Sequence, residues 1–533
     1  MAYKGIEIPI PMGQQGLRTD DAATKLPPTV LIDAQNVTIY NNLIEKERGS
    51  ATYNASPLTG AVVGIHDWHP TTSLQRLIAV TGDGKIYRDT GDKTFNSNTA
   101  ITSGLGSPTA NSTKLVEGGN ETAANAKKLF ILTGTSQIQV LEGDGTTTAD
   151  ISNPASDWAS SNYPTNGILH RNRLFVWRDD EHRIYASDDD DHEVFDTGDI
   201  LTFNIFPGEG DGIKAAITYK GRLYIFKGPK GVYYLEDSDS NTANWYFKKA
   251  SSSFGAASPH AAIQVIDDLL IGNSSGTITS LQAVEAFGDL KQGDIISNAQ
   301  IEQYLRDKVS PAGFASMQAT YYEEKKIAYF TYRDNPQSAQ NRMLEIDLAR
   351  REIVRYTFSS KDQVTCLEQR RDTNGILRPL YGNDAGFILE LDNDNKNVGG
   401  AAYEGVFQTP HMDFSFVDSK LANKNKLFDF LTLVYQPTGT WSVDVEVYID
   451  DIRKETIQFS QSKGRGLDDF ILDVDTLGGT SPEDLRKPLH GCGRRISFRI
   501  SNVNANEDFR IEQLIVAFRV SDERQTALTE GSS

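Results

Sequence analysis

Apolar and polar residues alternate along most of this chain in short runs that are typical of β-strands joined by tight turns. Between residues 62 and 391 one unit recurs seven times: a short apolar strand, a turn rich in Gly, Asp or Asn, and a second short strand. Clear copies begin at Arg76, Arg173 and Arg222, and the second strand of each contains tyrosine. Because repetition at a near-fixed spacing indicates repeated structural modules, this pattern predicts the architecture before any single residue does.

The spacing of these units indicates a β-propeller. The residues that close the best apolar strand of each unit lie 50 positions apart on average, since six intervals span 300 positions: Gly82, Gly134, Arg178, Gly228, Gly272, Tyr332 and Gly382. One blade of four short strands needs roughly 40–50 residues. The sequence therefore predicts an all-β fold with a propeller of about seven blades over residues 61–400, and six or eight blades also fit. The longest interval predicts a short helical insertion near 297–308.

The segments on both sides of the repeats follow other patterns. Residues 1–60 are predicted to form an N-terminal arm with a docking hairpin, because two β-prone runs flank Asn41 and Asn42. Residues 401–522 contain longer strands, and strict alternation from Trp441 to Ile449 predicts an antiparallel β-sandwich with one buried face. Residues 523–533 are polar and are predicted to form a flexible tail.

Composition and charge exclude several classes of function. The formal net charge is -19 and no cluster of Lys and Arg is present, so tight binding to DNA phosphates is not expected. Two cysteines are too few for a disulfide framework. The sequence contains neither a secretory signal nor an apolar run of ~18 residues, so we expect a protein that is made in the host cytoplasm without a membrane anchor.

An acidic run is the most conspicuous candidate for ion binding. Carboxylates at this spacing are ligands for divalent cations, and four of them are consecutive: Asp188, Asp189, Asp190 and Asp191. The run lacks the Gly and Glu positions of an EF-hand loop. We therefore favour a solvated loop between two strands of a blade over a metal site.

Two further motifs fit ordinary structure better than chemistry. His66 and His69 have a spacing that zinc could use, but no further ligand lies near them in the sequence. Gly272 to Gly276 matches the Gly-x-Ser-x-Gly motif of hydrolases, yet a β-prone run follows where such an enzyme needs a helix. We predict no enzymatic activity, no metal and no cofactor.

Short motifs near the N-terminus resemble one known family. They comprise a Gly-Leu start, a Pro-containing stretch, an Asn-Val strand and a charged hairpin that ends in Arg-Gly: Gly16, Leu17, Pro27, Pro28, Asn36, Val37, Arg48 and Gly49. The run from Arg183 to Asp188, followed by Phe195, is a second match. Together with the seven units and the closing β-domain, these motifs resemble the tail-nozzle proteins of short-tailed bacteriophages, also called tail tubular protein B or packaged-DNA stabilisation proteins.

This resemblance implies a structural protein of the virion tail. Such a protein assembles, as a hexamer, below the portal and its adaptor ring, extends the DNA channel, retains the packaged genome and conducts it during ejection. The implied partners are further copies of the chain, the adaptor ring, tail fibres or spikes, and genomic DNA that passes without sequence-specific binding. The motif residues from Gly16 to Arg48 are then candidate docking residues, and the acidic run is a candidate channel or gate loop.

Two other functions stay open at this stage. A carbohydrate-binding or glycan-cleaving propeller, such as a receptor-binding tail component, would carry clustered aromatic residues and carboxylates in the loops of one propeller face. A cellular protein-interaction propeller would carry Gly-His and Trp-Asp repeats, which this sequence lacks.

Overall fold

The described residues of this protein, in a computed structural model, form β-strands joined by short turns. The structure describes residues 5–40, 43–91, 95, 100–119, 127–159, 162–209, 211–266, 268–281, 301, 304–305, 307–335, 337–349, 355–393, 395–461 and 483–520. The strands are, in chain order, β1 (Ile6–Ile10), β2 (Asp33–Gln35), β3 (Val37–Tyr40), β4 (Leu43–Lys46), β5 (Gly49–Thr52), β6 (Val62–Thr71), β7 (Leu74–Thr81), β8 (Lys85–Arg88), β9 (Lys114–Gly119), β10 (Lys127–Leu132), β11 (Gln139–Glu142), β12 (Ala149–Asp150), β13 (Asn166–His170), β14 (Arg173–Trp177), β15 (Arg183–Ala186), β16 (Leu201–Asn204), β17 (Ile213–Tyr219), β18 (Arg222–Lys227), β19 (Val232–Glu236), β20 (Tyr246–Ser251), β21 (Ala262–Val265), β22 (Asp268–Gly272), β23 (Ile278–Ser280), β24 (Ala319–Tyr322), β25 (Ile327–Tyr332), β26 (Gln340–Asp347), β27 (Arg355–Arg371), β28 (Leu377–Asn383), β29 (Ile388–Asn393), β30 (Gly405–Gln408), β31 (Lys426–Tyr435), β32 (Trp441–Ile449), β33 (Ile452–Gln461), β34 (Glu483–Gly493), β35 (Ile496–Asn502) and β36 (Arg510–Val520). Short 3₁₀ turns lie at Ala110–Ser112, Pro207–Glu209, Thr242–Asn244, Pro311–Ser316 and Ser419–Leu421.

Within the residues that the structure describes, seven antiparallel sheets form the blades of a propeller. In chain order they contain β6–β8, β9–β12, β13–β16, β17–β20, β21–β23, β24–β26 with the first half of β27, and the second half of β27 with β28, β29 and β5. The first strand of each blade packs beside the first strand of the next, and the seventh blade packs beside the first. These seven inner strands therefore surround an axis, which confirms the predicted propeller with seven blades.

The positions that defined the repeat share one place in every blade. Each of the seven marker residues lies within two residues of the end of the second strand: Gly82, Gly134, Arg178, Gly228, Gly272, Tyr332 and Gly382. The second strand is central and is covered on both faces by neighbouring blades, so it has a continuous apolar run. In β10, for example, the side chains from Leu129 to Leu132 are all fully buried. Burial of this central strand produced the signal in the sequence.

Strand β27 belongs to two blades. Its first half pairs with β26 in blade six, and its second half pairs with β28 as the inner strand of blade seven. Between the two halves Gln363 has a φ of 47°, and the register shifts at Val364. This left-handed residue bends the strand, so one continuous segment passes from the outer edge of one blade to the axis of the next.

A strand from the N-terminal segment closes the ring. Strand β5 pairs with β29, so that Thr52 lies opposite Leu389 and Ala51 opposite Glu390. The outer strand of blade seven is thus supplied from residues that precede blade one. Closure by distant segments of the chain fixes the first and last blades together through main-chain hydrogen bonds.

The remaining strands form a sandwich of two sheets. One sheet contains β3, β4, β36, β31 and β34, with β1 beside β36, and the other contains β2, β30, β35, β32 and β33. In β32 the residues from Trp441 to Ile449 alternate between buried and partly exposed, as their sequence predicts. Trp441, Val445 and Phe498 belong to the core between the sheets. Burial of each such side chain stabilises the fold by roughly 1.5–3 kcal/mol.

The N-terminal segment is not a separate arm. Strand β1 pairs with β36, β2 pairs with β30, and the hairpin of β3 and β4 adds to the same sheet through β36. The domain boundary predicted at residue 60 is therefore wrong for the part of the segment that the structure describes. Its first four strands complete the C-terminal sandwich, and its fifth completes the propeller. Local patterns predicted the hairpin, but they carry no information on which distant strand it pairs with.

The propeller and the sandwich are joined by a shared sheet. Gln35 in β2 pairs in parallel with Phe358 in the first half of β27, so the second sandwich sheet continues into blade six.

The predicted helical insertion is described only in part. Ile301, Tyr304 and Leu305 are helical as predicted, whereas residues 297–300 lie outside the described part of the chain. Residues 521–533, which include the predicted tail, also lie outside it. None of the helices in the described residues is apolar over a length that could cross a bilayer.

Candidate functional sites

The motif residues Asn36 and Val37 mark the point where the chain passes between the two sandwich sheets. Asn36 follows β2 in one sheet and precedes β3 in the other, and its φ is 53°. Asparagine tolerates this left-handed conformation better than most residues. Its side-chain Nδ2 also donates to the carbonyl oxygen of Glu404, at 2.6 Å. Val37, which is 1% exposed, packs in the sandwich core. The Asn-Val motif thus turns the chain from one sheet to the other.

The Gly-Leu motif fixes the loop that precedes β2. Gly16 has a φ of 72°, and its carbonyl oxygen accepts a hydrogen bond of 2.9 Å from the backbone N–H of Leu31. Leu17 is buried in the sandwich core. Pro27 is exposed and Pro28 is half-buried. Of these motif residues only the prolines offer much surface to another molecule, and docking to a neighbour stays a prediction for the whole set.

The Arg-Gly motif lies at the closure of the ring. Arg48 is half-buried and leads into Gly49, the first residue of β5. A Cβ atom on Gly49 would lie 1.9 Å from the carbonyl oxygen of Asn397, which is far inside contact distance. The backbone N–H of Gly49 donates to the carbonyl oxygen of Asn395, at 2.7 Å. Glycine is therefore required here because two backbone segments meet without space for a side chain.

A buried polar network stabilises the junction of propeller and sandwich. The Lys46 side chain is fully buried, and its Nζ donates to Oδ1 of Asn502 (2.7 Å) and to the carbonyl oxygen of Asn504 (2.6 Å). Burial lowers the pKa of Lys46 to about 8. Nearby, Nζ of Lys361 in β27 pairs with Oε1 of Glu47 at 2.8 Å. Sequence reasoning missed these lysines, since nothing in a local pattern distinguishes a buried lysine from an exposed one.

The axial cavity of the propeller is lined by all seven inner strands and has a volume of about 700 Å³. The turn Ala110–Ser112, here named the plug turn, leads into blade two. The plug turn contacts the entries of blades five and six: Nε2 of His260 donates to the carbonyl oxygen of Ala110 (2.9 Å), and Nδ2 of Asn111 donates to that of Ala315 (2.7 Å). Since blades two and five face each other across the ring, these contacts carry the plug turn across the axis at one end of the propeller.

The other end of the cavity carries charged side chains that are engaged with each other. Glu117 accepts from Nε2 of His66 (3.3 Å) and pairs with Nζ of Lys127 (2.7 Å). Burial alone would raise the pKa of Glu117, but these two hydrogen bonds outweigh it and lower the pKa to about 2. Oδ2 of Asp67 accepts from the backbone N–H of Arg371 at 2.8 Å. Glu117 is thus held ionised, the opposite of what a general acid requires.

The acidic run lies in the loop between β15 and β16, as the sequence predicts. Oxygens of Asp188, Asp189 and Asp190 lie within 4.8 Å of one another. Asp189 pairs with the buried Arg173 at 3.4 Å, and the two carboxylate oxygens of Asp188 accept backbone N–H groups. Burial alone would raise the pKa of Asp188, but these backbone hydrogen bonds outweigh it and lower the pKa. The carboxylates of Asp188 and Asp189 therefore have their partners within the same blade. The role of the run as a channel or gate loop stays a prediction.

His192, at the end of the acidic run, attaches this loop to blade two. Its Nδ1 accepts the backbone N–H of Gly119 (2.8 Å), and its Nε2 donates to the carbonyl oxygen of Asn172 (2.9 Å). The two bonds require the neutral tautomer with the proton on Nε2.

The Gly-x-Ser-x-Gly motif has a structural role. Gly272 to Gly276 forms the hairpin turn between β22 and β23, as predicted.

Comparisons with known proteins add little to this description. No protein-family model matches the chain, and no curated protein matches it. Among solved structures, YCF48 bound to D1 peptide is similar at 9% identity over 67% of this chain and 97% of its own, with a TM-score of 0.40. An exo-β-1,3-galactanase from Phanerochaete chrysosporium with galactose is similar at 10% identity over 89% and 100%, with a TM-score of 0.24. Likenesses this weak carry no functional argument, and the fold rests on its own strand pairing.

Proposed function

We propose that this protein is a structural subunit of a short-tailed bacteriophage tail, a nozzle protein that assembles into a ring below the portal adaptor. In this role several copies, six in the implied hexamer, enclose the channel through which the genome leaves the particle. The observation that carries the proposal is the position of the motif residues. Asn36 lies at the crossing between the sandwich sheets, and Gly49 lies at the closure of the propeller.

The shared sheet supports a mechanical role. Because β2 joins the second sandwich sheet to blade six, propeller and sandwich form one continuous hydrogen-bonded body. A subunit that withstands the pressure of packaged DNA benefits from such a body, since a flexible linker would let the two domains shift under compression. The junction network of Lys46 and Lys361 adds buried hydrogen bonds at the same place.

The plug turn and the net charge define where DNA would pass. With the plug turn across one end of its axis, the bore of each propeller is obstructed, so we place the DNA channel of the proposed ring between subunits. The net charge of -19 disfavours tight binding of phosphates to the surface as a whole. A polyanion can therefore slide past such a surface without being held.

Electron microscopy tests the proposal directly. Purified protein, and tails isolated from particles, should show a ring with an axial hole that is wider than one propeller bore. Size-exclusion chromatography with light scattering should give a mass several times that of one chain. A protein that stays monomeric at high concentration and is absent from particles would refute the proposal.

A paired substitution tests the candidate gate loop. Asp190→Lys places a cation in the exposed acidic loop, and Glu512→Lys makes the same charge change on the exposed side of β36. If the loop faces the channel, particles with the first variant should eject DNA more slowly, because the new ammonium attracts phosphates. Equal ejection rates from the two variants would place the loop outside the channel.

A glycan-cleaving propeller is the second candidate function. Such an enzyme uses two carboxyl groups, one of which must stay protonated near neutral pH. In the axial cavity Glu117 is held ionised by His66 and Lys127, and Asp67 accepts hydrogen bonds from its neighbours. Release of reducing sugar from polysaccharides, lost on Glu117→Gln, would favour this function over the nozzle.

A further inference from the structure

A groove lined by aromatic and charged side chains lies on the rim of the propeller at blades three and four. It consists of two adjoining cavities of about 350 and 440 Å³, which share Asn204 and Pro207. Both volumes fall in the range of small-molecule sites. We name this feature the rim groove. It is separate from the axial cavity and from the acidic loop, and the nozzle function does not use it.

Aromatic rings form the larger half of the rim groove. Large aromatic side chains are usually buried, yet Tyr246 is 55% exposed and Phe206 is 41% exposed. The Phe206 ring stacks on that of Tyr233 with 5.1 Å between centroids. Nε1 of Trp245 donates to the carbonyl oxygen of Asp239 at 2.8 Å. These contacts hold aromatic faces in fixed positions at the surface, which marks a ligand groove.

A charged pair forms the polar wall of the smaller half. Oδ2 of Asp157 accepts from NH1 of Arg183 (2.8 Å) and from the hydroxyl of Tyr185 (2.5 Å). The Asp157 and Arg183 side chains are still 42% and 49% exposed. A carboxylate beside a guanidinium presents acceptors and donors in one plane. This arrangement matches a ligand with neighbouring hydroxyl groups, each of which both donates and accepts.

Two atoms in the wall of the smaller cavity have unused hydrogen-bonding capacity. Nε1 of Trp158 and Nδ1 of His182 are buried and have no partner within the described residues. Unsatisfied buried polar atoms are uncommon in folded proteins. An additional polar molecule in this cavity would complete their hydrogen bonding.

We propose that the rim groove binds an oligosaccharide. One sugar ring lies on the faces of Phe206 and Tyr246, and a neighbouring sugar places adjacent hydroxyls on Asp157 and Arg183. Single-stranded DNA fits less well, because Asp157 and Glu181 offset the charge of the two arginines in the groove. An apolar peptide would desolvate the charged pair without replacing its hydrogen bonds.

Binding is measured on the full chain with defined glycans. Maltoheptaose, chitopentaose, galactan oligosaccharides and purified lipopolysaccharide O-chains are titrated while tryptophan fluorescence is recorded, since Trp158 and Trp245 line the groove. We expect saturable binding of at least one probe. Phe206→Ala should weaken it by roughly tenfold, the loss expected for one aromatic contact. Asp157→Asn, which keeps the size of the side chain, should weaken it by a similar factor.

A matched variant separates the groove from general effects. Phe416 is also 41% exposed but lies in the sandwich region, so Phe416→Ala should leave binding unchanged. Thermal unfolding checks each variant, and Phe206→Leu replaces Phe206→Ala if the latter unfolds early. The proposal is wrong if no probe binds, if both phenylalanine variants weaken binding equally, or if single-stranded DNA or a proline-rich peptide binds in place of the glycans. These outcomes leave the nozzle proposal standing, since ring assembly is measured separately.

Discussion

Nζ of Lys46 lies 2.7 Å from Oδ1 of Asn502, a residue 456 positions later in the chain. The two residues join the N-terminal hairpin to the second sandwich sheet at the junction with the propeller. The ammonium group is fully buried, so its hydrogen bonds compensate for most of the cost of removing a charge from water.

Replacement of this lysine should destabilise the protein. Lys46→Met leaves the acceptors on Asn502 and Asn504 without a donor, which costs about 1–3 kcal/mol for each unsatisfied group. Lys454→Met on the exposed side of β33 is the matched control and should have almost no effect. Urea unfolding gives the free energy of each variant. A Lys46→Met protein as stable as the control would contradict the role of the network.

The low pKa of Lys46 predicts a rise in stability at alkaline pH. The folded-state pKa is about 8, whereas an unfolded lysine titrates near 10.4, so the folded state releases its proton first. The unfolded state binds more protons between these values, and stability therefore increases with pH across that window. We expect about 1–2 kcal/mol between pH 7 and 10 that Lys46→Met lacks. Parallel pH curves for the two proteins would speak against this assignment.

The closure of the ring predicts that Gly49 does not tolerate substitution by a larger residue. Gly49→Val inserts a side chain whose Cβ atom would lie 1.9 Å from the carbonyl oxygen of Asn397, so β5 must move away from the segment that directly follows β29. We expect a loss of stability above about 3 kcal/mol, or failure to fold. Gly208→Val, with no atom within 4 Å of its Cβ position, is the control. Unfolding midpoints and limited proteolysis measure the difference, and equal midpoints would count against closure by β5.

The crossing between the sandwich sheets predicts a graded response at Asn36. Asn36→Gly keeps the φ of 53° accessible and loses mainly the bond to Glu404, so it should cost about 1 kcal/mol. Asn36→Val adds strain of about 1–3 kcal/mol, because a β-branched residue disfavours the left-handed region. Thermal unfolding should rank wild type, glycine and valine in that order. A valine variant as stable as the glycine variant would show that the turn relaxes.

His260, which donates a hydrogen bond to the plug turn, predicts a loss of stability in acid. Burial lowers the pKa of His260 to about 3, and the nearby Lys114 acts in the same direction. An unfolded histidine takes up a proton near pH 6.5, so the unfolded state is favoured as pH falls from that value towards 3. Between pH 7 and 5 we expect about 1–2 kcal/mol of loss that His260→Gln does not show. Unfolding in urea at both pH values measures it, and identical losses would exclude His260 as the cause.

The sequence predicts most of the propeller because each blade repeats a local signal. The marker residues lie at the end of the central strand, whose apolar run depends only on burial between neighbouring blades. The sequence does not predict that β27 is one continuous strand, because a 17-residue strand with a bend at Gln363 has no distinct pattern of apolar and polar residues. Its two halves therefore seemed to belong to independent units.

Pairing between distant segments explains what could not be predicted. The run from Val37 to Lys46 indicates a hairpin, but its partner β36 lies more than 450 residues away. The rim groove was missed for the same reason, since Trp158, Arg183 and Tyr246 come from three segments that meet only in the folded chain. Tyr185 is one of the tyrosines that recur in the second strand of the repeated unit, and the structure places its hydroxyl in the wall of the groove.

The ring closure by β5 has a consequence for biosynthesis. A ribosome completes residues 49–52 long before it completes β29, and β1 emerges some 500 residues before its partner β36. Strands β1 and β5 must therefore wait, with their edges unpaired, until β36 and β29 have been translated. Unpaired edges promote aggregation, and pairings of such long sequence separation form slowly. A product that terminates before β29 lacks both closures at once.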